Sequence, residues 1–135
     1  MIYKELNITP SLEDYLEAIL FLMEKEQAVR VTDVANYLGI SKPSVNKAIN
    51  NLKAMELVNH EHYGLLDLTE KGRQIAVEVA KRHVVITEFL EKYLGIDAKT
   101  AEKEACLLEH SMSVDTVDKL EVFLKKYEDA LKNAK

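Results

Sequence analysis

The 135-residue sequence has one cysteine, no tryptophan, two prolines and four glycines, so several chemistries lack material. Cys106 alone excludes an intrachain disulfide framework and is compatible with a reducing cytoplasm. No apolar run approaches the roughly 20 residues that cross a bilayer. The opening MIYKELNITP lacks the basic and apolar regions of a secretory signal. A cytoplasmic protein with no membrane partner is expected. There is no internal repeat and no low-complexity tract. Excess positive charge is missing too: the net charge of −5 and pI of about 5.4 do not advertise a nucleic-acid partner. The distribution softens that count. Residues 31–60 carry Lys42, Lys47 and Lys53 against Asp33 and Glu56, whereas residues 1–30 carry six acids against Lys4, Lys25 and Arg30. Acids that surround bound cations would lower the effective negative charge further. The length admits one or two small domains with a real core.

The stretch from Val31 to Met55, VTDVANYLGISKPSVNKAINNLKAM, reads as a helix-turn-helix. Val34, Ala35 and Leu38 give a short first helix one apolar edge, and Gly39 ends it. Ile40 is expected to plug the corner. Ser41 is placed to cap the second helix, with Pro43 in its first turn, where a missing N–H is harmless. Val45, Ala48, Ile49, Leu52 and Met55 recur at helical spacing and face inward. The opposite face carries Ser44, Asn46, Lys47, Asn50 and Asn51. Asparagine is a poor helix former, so a run of them suits a helix laid in a DNA major groove better than a helix that only fills space. Asparagine bonds adenine bidentately, lysine bonds guanine or phosphate, and serine bonds either. Leu57–Glu61 and Leu65–Leu68 read as a hairpin with its turn around His62–Tyr63–Gly64, the wing of a winged helix. The expected DNA contacts are Ser41, Lys42, Pro43, Ser44, Asn46, Lys47, Asn50, His62 and Tyr63. His60 and His62, two apart, lack the further ligands that a metal site requires.

The flanking segments read as helices. Ahead of the helix-turn-helix, Pro10–Ser11 opens a helix with a stripe of Leu12, Leu16, Ile19, Leu20 and Met23, and Ser11 with Asp14 resembles a capping box. Asp14 and Glu17 share a face, which is ordinary for acids near a helix N-terminus. After the hairpin, Thr69 caps a long helix to Leu94, striped by Ile75, Val79, Ile86, Leu90 and Leu94 and ended by Gly95. His83 lies in phase with that stripe, where a histidine is more often a core or interface residue than a ligand. Asp97 begins a helix in which Cys106, Glu109 and His110 project from one face, while Ala101, Ala105, Leu108 and Met112 pack elsewhere. Thiolate, carboxylate and imidazole together form a transition-metal set, weighed against a buried cysteine beside two surface residues. Ser113 caps a last helix whose apolar content exceeds one stripe and offers a surface for a second subunit. Two-fold dimers suit DNA half-sites about one helical turn apart.

SLEDYLEAI, the helix-turn-helix, LTEKG, RHVVITEFL and CLLEHSMS, taken in order and spacing from Ser11 to Leu124, resemble one family. It is that of the diphtheria toxin repressor and manganese transport regulator, metal-dependent transcriptional repressors. The chain resembles the short branch, without the SH3-like domain. The resemblance implies a mainly α fold: a winged helix-turn-helix DNA-binding domain over 1–72, then an α-helical metal-binding and dimerisation domain over 73–135. It implies a metal site between the two, with Asp14, Glu17, His83, Cys106, Glu109 and His110 as ligands. The set is a hybrid. Asp14 and Glu17 match the manganese branch, and Cys106 stands where the iron branch has cysteine. Thr87 stands where both branches have glutamate, and Glu102 where the iron branch has histidine, so the accessory site is incomplete. The thiolate favours Fe(II), with Mn(II) close behind.

The implied function is a homodimeric metal-sensing repressor of iron or manganese homeostasis that binds double-stranded operator DNA. It takes no small-molecule substrate and is not an enzyme. The alternative is a winged-helix regulator not controlled by metal. A thiol enzyme using Cys106 with His110 as base lacks any sign of an oxyanion site. A pure dimerisation module is the third alternative, which a mobility shift on the chain's own promoter region would exclude.

Overall fold

In a computed structural model the described residues are 8–26, 28–61 and 64–134. The chain divides into two compact units, Met1–Val77 and Glu78–Lys135.

The first unit opens with helix α1, Pro10–Lys25. Its cap is Thr9, whose hydroxyl accepts from the Leu12 N–H at 3.2 Å, rather than the expected Ser11. Pro10 explains the shift. It drives the residue before it to an extended backbone and loses nothing at a first helical position. Tyr15, Leu16, Ala18, Ile19, Leu20 and Leu22 are buried, while Leu12 and Met23 of the expected stripe are half-buried.

A two-residue strand, β1 (Val29–Arg30), was too short to carry any periodicity. Helix α2 (Val31–Leu38) follows, with the Arg30 N–H donating to Asp33 at 2.8 Å, and ends on Gly39 at φ 68°. Helix α3 (Lys42–Ala54) starts at Ser41, whose Oγ accepts from the Ser44 N–H at 3.3 Å. Val45, Ala48, Ile49 and Leu52 face inward as the spacing predicts. Ile40 does not plug the corner: it is 38% exposed. The main chain closes the corner instead, through the Ile40 N–H to the Ala35 carbonyl at 3.0 Å.

Strands β2 (Val58–His60) and β3 (Leu65–Leu68) pair antiparallel, Val58 with Leu68 and His60 with Leu66. β1 adds to the other edge of β3, giving the order β1-β3-β2. The expected contacts His62 and Tyr63 lie outside the described residues.

Helix α4 (Glu70–Glu88) is capped by Thr69, whose hydroxyl accepts from the Gly72 N–H at 3.0 Å. The same hydroxyl donates to the carbonyl of Glu56, which sits at φ 61°. Gly72 is required by packing, because any Cβ there would collide with the Leu57 carbonyl. The division between the two units falls within α4.

α4 passes into a π-helical turn, Phe89–Tyr93, before Gly95. Its wider winding rotates Leu94 out of the expected stripe, leaving it 55% exposed. In the second unit, helices α5 (Ala98–Leu108) and α6 (Val114–Asn133) are capped by Asp97 and Ser113 as expected. The core gathers Val85, Ile86, Leu90, Ala101, Ala105, Val117 and Leu124. Leu108, expected to pack, is 39% exposed, because α5 ends there and Glu109 takes the inward place. No helix among the described residues is long and apolar enough to cross a membrane.

Candidate metal centre

Three chemistries converge in the second unit. α4 presents His83, α5 presents Cys106, and the residue after α5 is Glu109. One donor atom from each lies within 4.8 Å of the others. His83 Nδ1 is 2.8 Å from Glu109 Oε1 and 3.9 Å from Cys106 Sγ. On the other edge of the ring, Nε2 is 2.9 Å from Glu102 Oε2.

Glu109 is placed by its backbone as well as its side chain. Arg82, itself buried, donates from Nη1 to the Glu109 carbonyl at 2.7 Å. Two further N–H groups, of Ser111 and Met112, close a turn on the Leu108 carbonyl. The Glu109 side chain is thereby held 2% exposed. Its Oε1 meets His83, but its Oε2 is buried with no hydrogen-bond partner among the described residues. A buried carboxylate oxygen left unpaired is strongly unfavourable. Beside an imidazole and a thiol, it fits a site completed by a divalent transition metal.

The carboxylates also control the imidazole. The hydrogen bond to Glu109, chiefly, then that to Glu102 and the charge of both, outweigh burial and raise the His83 pKa to about 9. Without metal the ring therefore carries both protons at neutral pH, one for each carboxylate.

Other expected site residues are placed as follows. Asp14 is exposed and Glu17 half-buried on α1 of the first unit. His110 is half-buried and stands outside the three-residue group. Ser41, Lys42, Pro43, Ser44, Asn46, Lys47 and Asn50 are all exposed along α3 and its cap. Ser41 and Ser44 share a hydroxyl–hydroxyl bond at 3.0 Å, so part of their polarity is used locally. Sequence reasoning missed Arg82 and the bond from Glu102 to His83. The only sign of the first was a charged residue flanking an in-phase histidine. Nothing local ties it to a carbonyl 27 positions on.

Residues 7–66 match the iron dependent repressor N-terminal DNA binding domain, and residues 69–132 match the iron dependent repressor metal binding and dimerisation domain. The chain belongs to the iron-dependent repressor family. That membership makes it a metal-dependent transcriptional regulator with a winged helix. A protein of Methanocaldococcus jannaschii, named an uncharacterized HTH-type transcriptional regulator, is 38% identical over 90% of this chain and 98% of its own. The HTH-type transcriptional regulator MntR of Bacillus velezensis is 33% identical over 90% of this chain and 84% of its own. Among solved structures, the manganese regulator SloR shares the fold with a TM-score of 0.77 at 31% identity. That match covers 87% of this chain and 55% of SloR, so the chain spans about half the length of that relative.

Proposed function

We propose that this chain is a cytoplasmic, homodimeric repressor of iron or manganese homeostasis genes. In this reading it grips operator DNA when a divalent metal, Fe(II) ahead of Mn(II), is bound by His83, Cys106 and Glu109. Asp14 and Glu17 of α1 and His110 complete the ligand set. The observation that carries the reading is the buried Glu109 carboxylate, with one oxygen unpaired, beside a thiol and an imidazole.

Each group has a definite task. Glu109, whose main-chain carbonyl Arg82 holds, brings a carboxyl group into a buried place. His83 must release its Nδ1 proton to offer a lone pair there. Cys106 must likewise offer a thiolate, which tilts the set from Mn(II) toward Fe(II). When bound, the metal supplies the positive charge that offsets the carboxylate and thiolate donors. On α3, Asn46 and Asn50 read base edges, and Lys42 and Lys47 contact phosphate or guanine. The exposed Leu107, Val122, Phe123 and Tyr127 supply apolar surface for a second copy.

The test is elemental analysis of anaerobically purified protein, followed by promoter-DNA affinity with and without Fe(II) or Mn(II). Metal should tighten binding by roughly 5- to 150-fold, the usual range for such coupling. Equal affinities would leave a winged-helix regulator that no metal controls.

A further inference from the structure

We propose that Glu102 is a positioning residue for the metal centre: its carboxylate accepts the Nε2–H of His83 and so turns Nδ1 toward Cys106 and Glu109. The inference rests on the reading of His83, Cys106 and Glu109 as ligands.

The two edges of the His83 ring face different groups. Nδ1 faces Glu109 at 2.8 Å and Cys106 at 3.9 Å, whereas Nε2 faces Glu102 at 2.9 Å. A neutral imidazole carries one N–H and one lone pair, so ligation through Nδ1 requires the proton on Nε2. That N–H needs an acceptor, and Glu102 Oε2 is the acceptor within reach. Ligand histidines are commonly fixed in this way by a carboxylate behind the ring, which sets the tautomer and raises basicity.

Spacing on α5 makes the arrangement coherent. Glu102, Cys106 and Glu109 follow one another at i, i+4 and i+7 along one face. Yet Glu102 stands outside the group of mutually close donor atoms, on the far edge of the ring. Its side chain is also exposed, where Glu109 is buried. Water screens a charge in that position, so Glu102 acts through direction more than through charge.

This separates positioning from ligation by experiment. Co(II) affinity and absorption are measured for the full-length wild type, Glu102→Ala, Glu102→Gln and Cys106→Ser, by competition with a chelator. Glu102→Ala should weaken binding about 10- to 100-fold, the range for loss of a group behind a ligand. Glu102→Gln retains an acceptor oxygen and should recover most of that loss, with an unchanged Co(II) spectrum. Long-range proton–nitrogen spectra of the Zn(II)-loaded wild type should show the His83 proton on Nε2 and the metal on Nδ1. Metal on Nε2, or wild-type affinity in Glu102→Ala, would overturn the proposal. So would a Glu102→Gln variant as weak as Glu102→Ala with an altered Co(II) spectrum, because Glu102 would then be a ligand. A wild type with no thiolate-to-cobalt absorption, or one that Cys106→Ser leaves unchanged, would fell the underlying reading of the centre and the proposal with it.

Discussion

The polar face of α3 and the polar cluster of the second unit solve opposite problems. Asn46, Lys47 and Asn50 are exposed to solvent along α3. His83, Cys106 and Glu109 point at one another, with Glu109 almost wholly buried and one of its oxygens unpaired. A face of the first kind costs the fold only the weaker helix propensity of its asparagines and leaves no buried polar atom unpaired. The second kind burdens the fold with an unpaired buried oxygen, which a cation would relieve in the proposed function. The lesson is that the two functions are stored differently. In the proposed function, DNA binding is written in residue types on a surface, and metal binding in a buried carboxylate that folding leaves half-paired.

Removing the buried carboxylate breaks that contrast most sharply. Glu109→Ala should lower metal affinity by more than about 100-fold, since loss of an outer partner alone costs up to that much. Circular dichroism should remain native, because the Arg82 bond is to the Glu109 main chain and survives the change. Isothermal titration with Mn(II) and Co(II) reads the affinity.

Proton competition is the next largest effect. With the His83 pKa raised to about 9, each bound metal must displace a proton below that pH. From this group alone, affinity should rise about tenfold per pH unit up to pH 9 and then level. Metal-free stability should run the other way. The contribution of His83 is complete below its ordinary value of 6.5 and disappears as the pH rises through about 9. Metal titrations and thermal melts across pH 6–10 check both slopes.

Two smaller changes probe the first unit. Gly72→Ala forces a methyl against the Leu57 carbonyl and should cost about 1–3 kcal/mol of stability in denaturant melts. Lys47→Ala, on the exposed face, should leave stability unchanged. It should reduce the slope of log affinity against log salt by about 1 if that lysine contacts a phosphate.

Legibility in the sequence followed the range of the interaction. Gly39, Ser41, Thr69, Asp97 and Ser113 bound their helices as expected, because capping involves neighbours within a turn. Cys106 and Glu109 were readable from their spacing alone, and His83 joined them through the family resemblance. The misses have distinct causes. Pro10 moved the first cap back to Thr9, and the π-helical turn swung Leu94 outward. α5 stops at Leu108, so the expected packing of Leu108 gave way to Glu109 turning inward. The Arg82 clamp and the Glu102 bond join positions 27 and 19 apart, which no local pattern encodes.

The central claim is that the ion held at Glu109 and the DNA held at α3 are energetically linked. Promoter affinity measured anaerobically for wild type and Glu109→Ala, each with and without saturating Co(II), tests it most directly. The account predicts that Co(II) tightens wild-type binding about 5- to 150-fold and does nothing for the variant, whose metal-free affinity matches the wild type. An equal response to Co(II) in both proteins, or none in either, would contradict it.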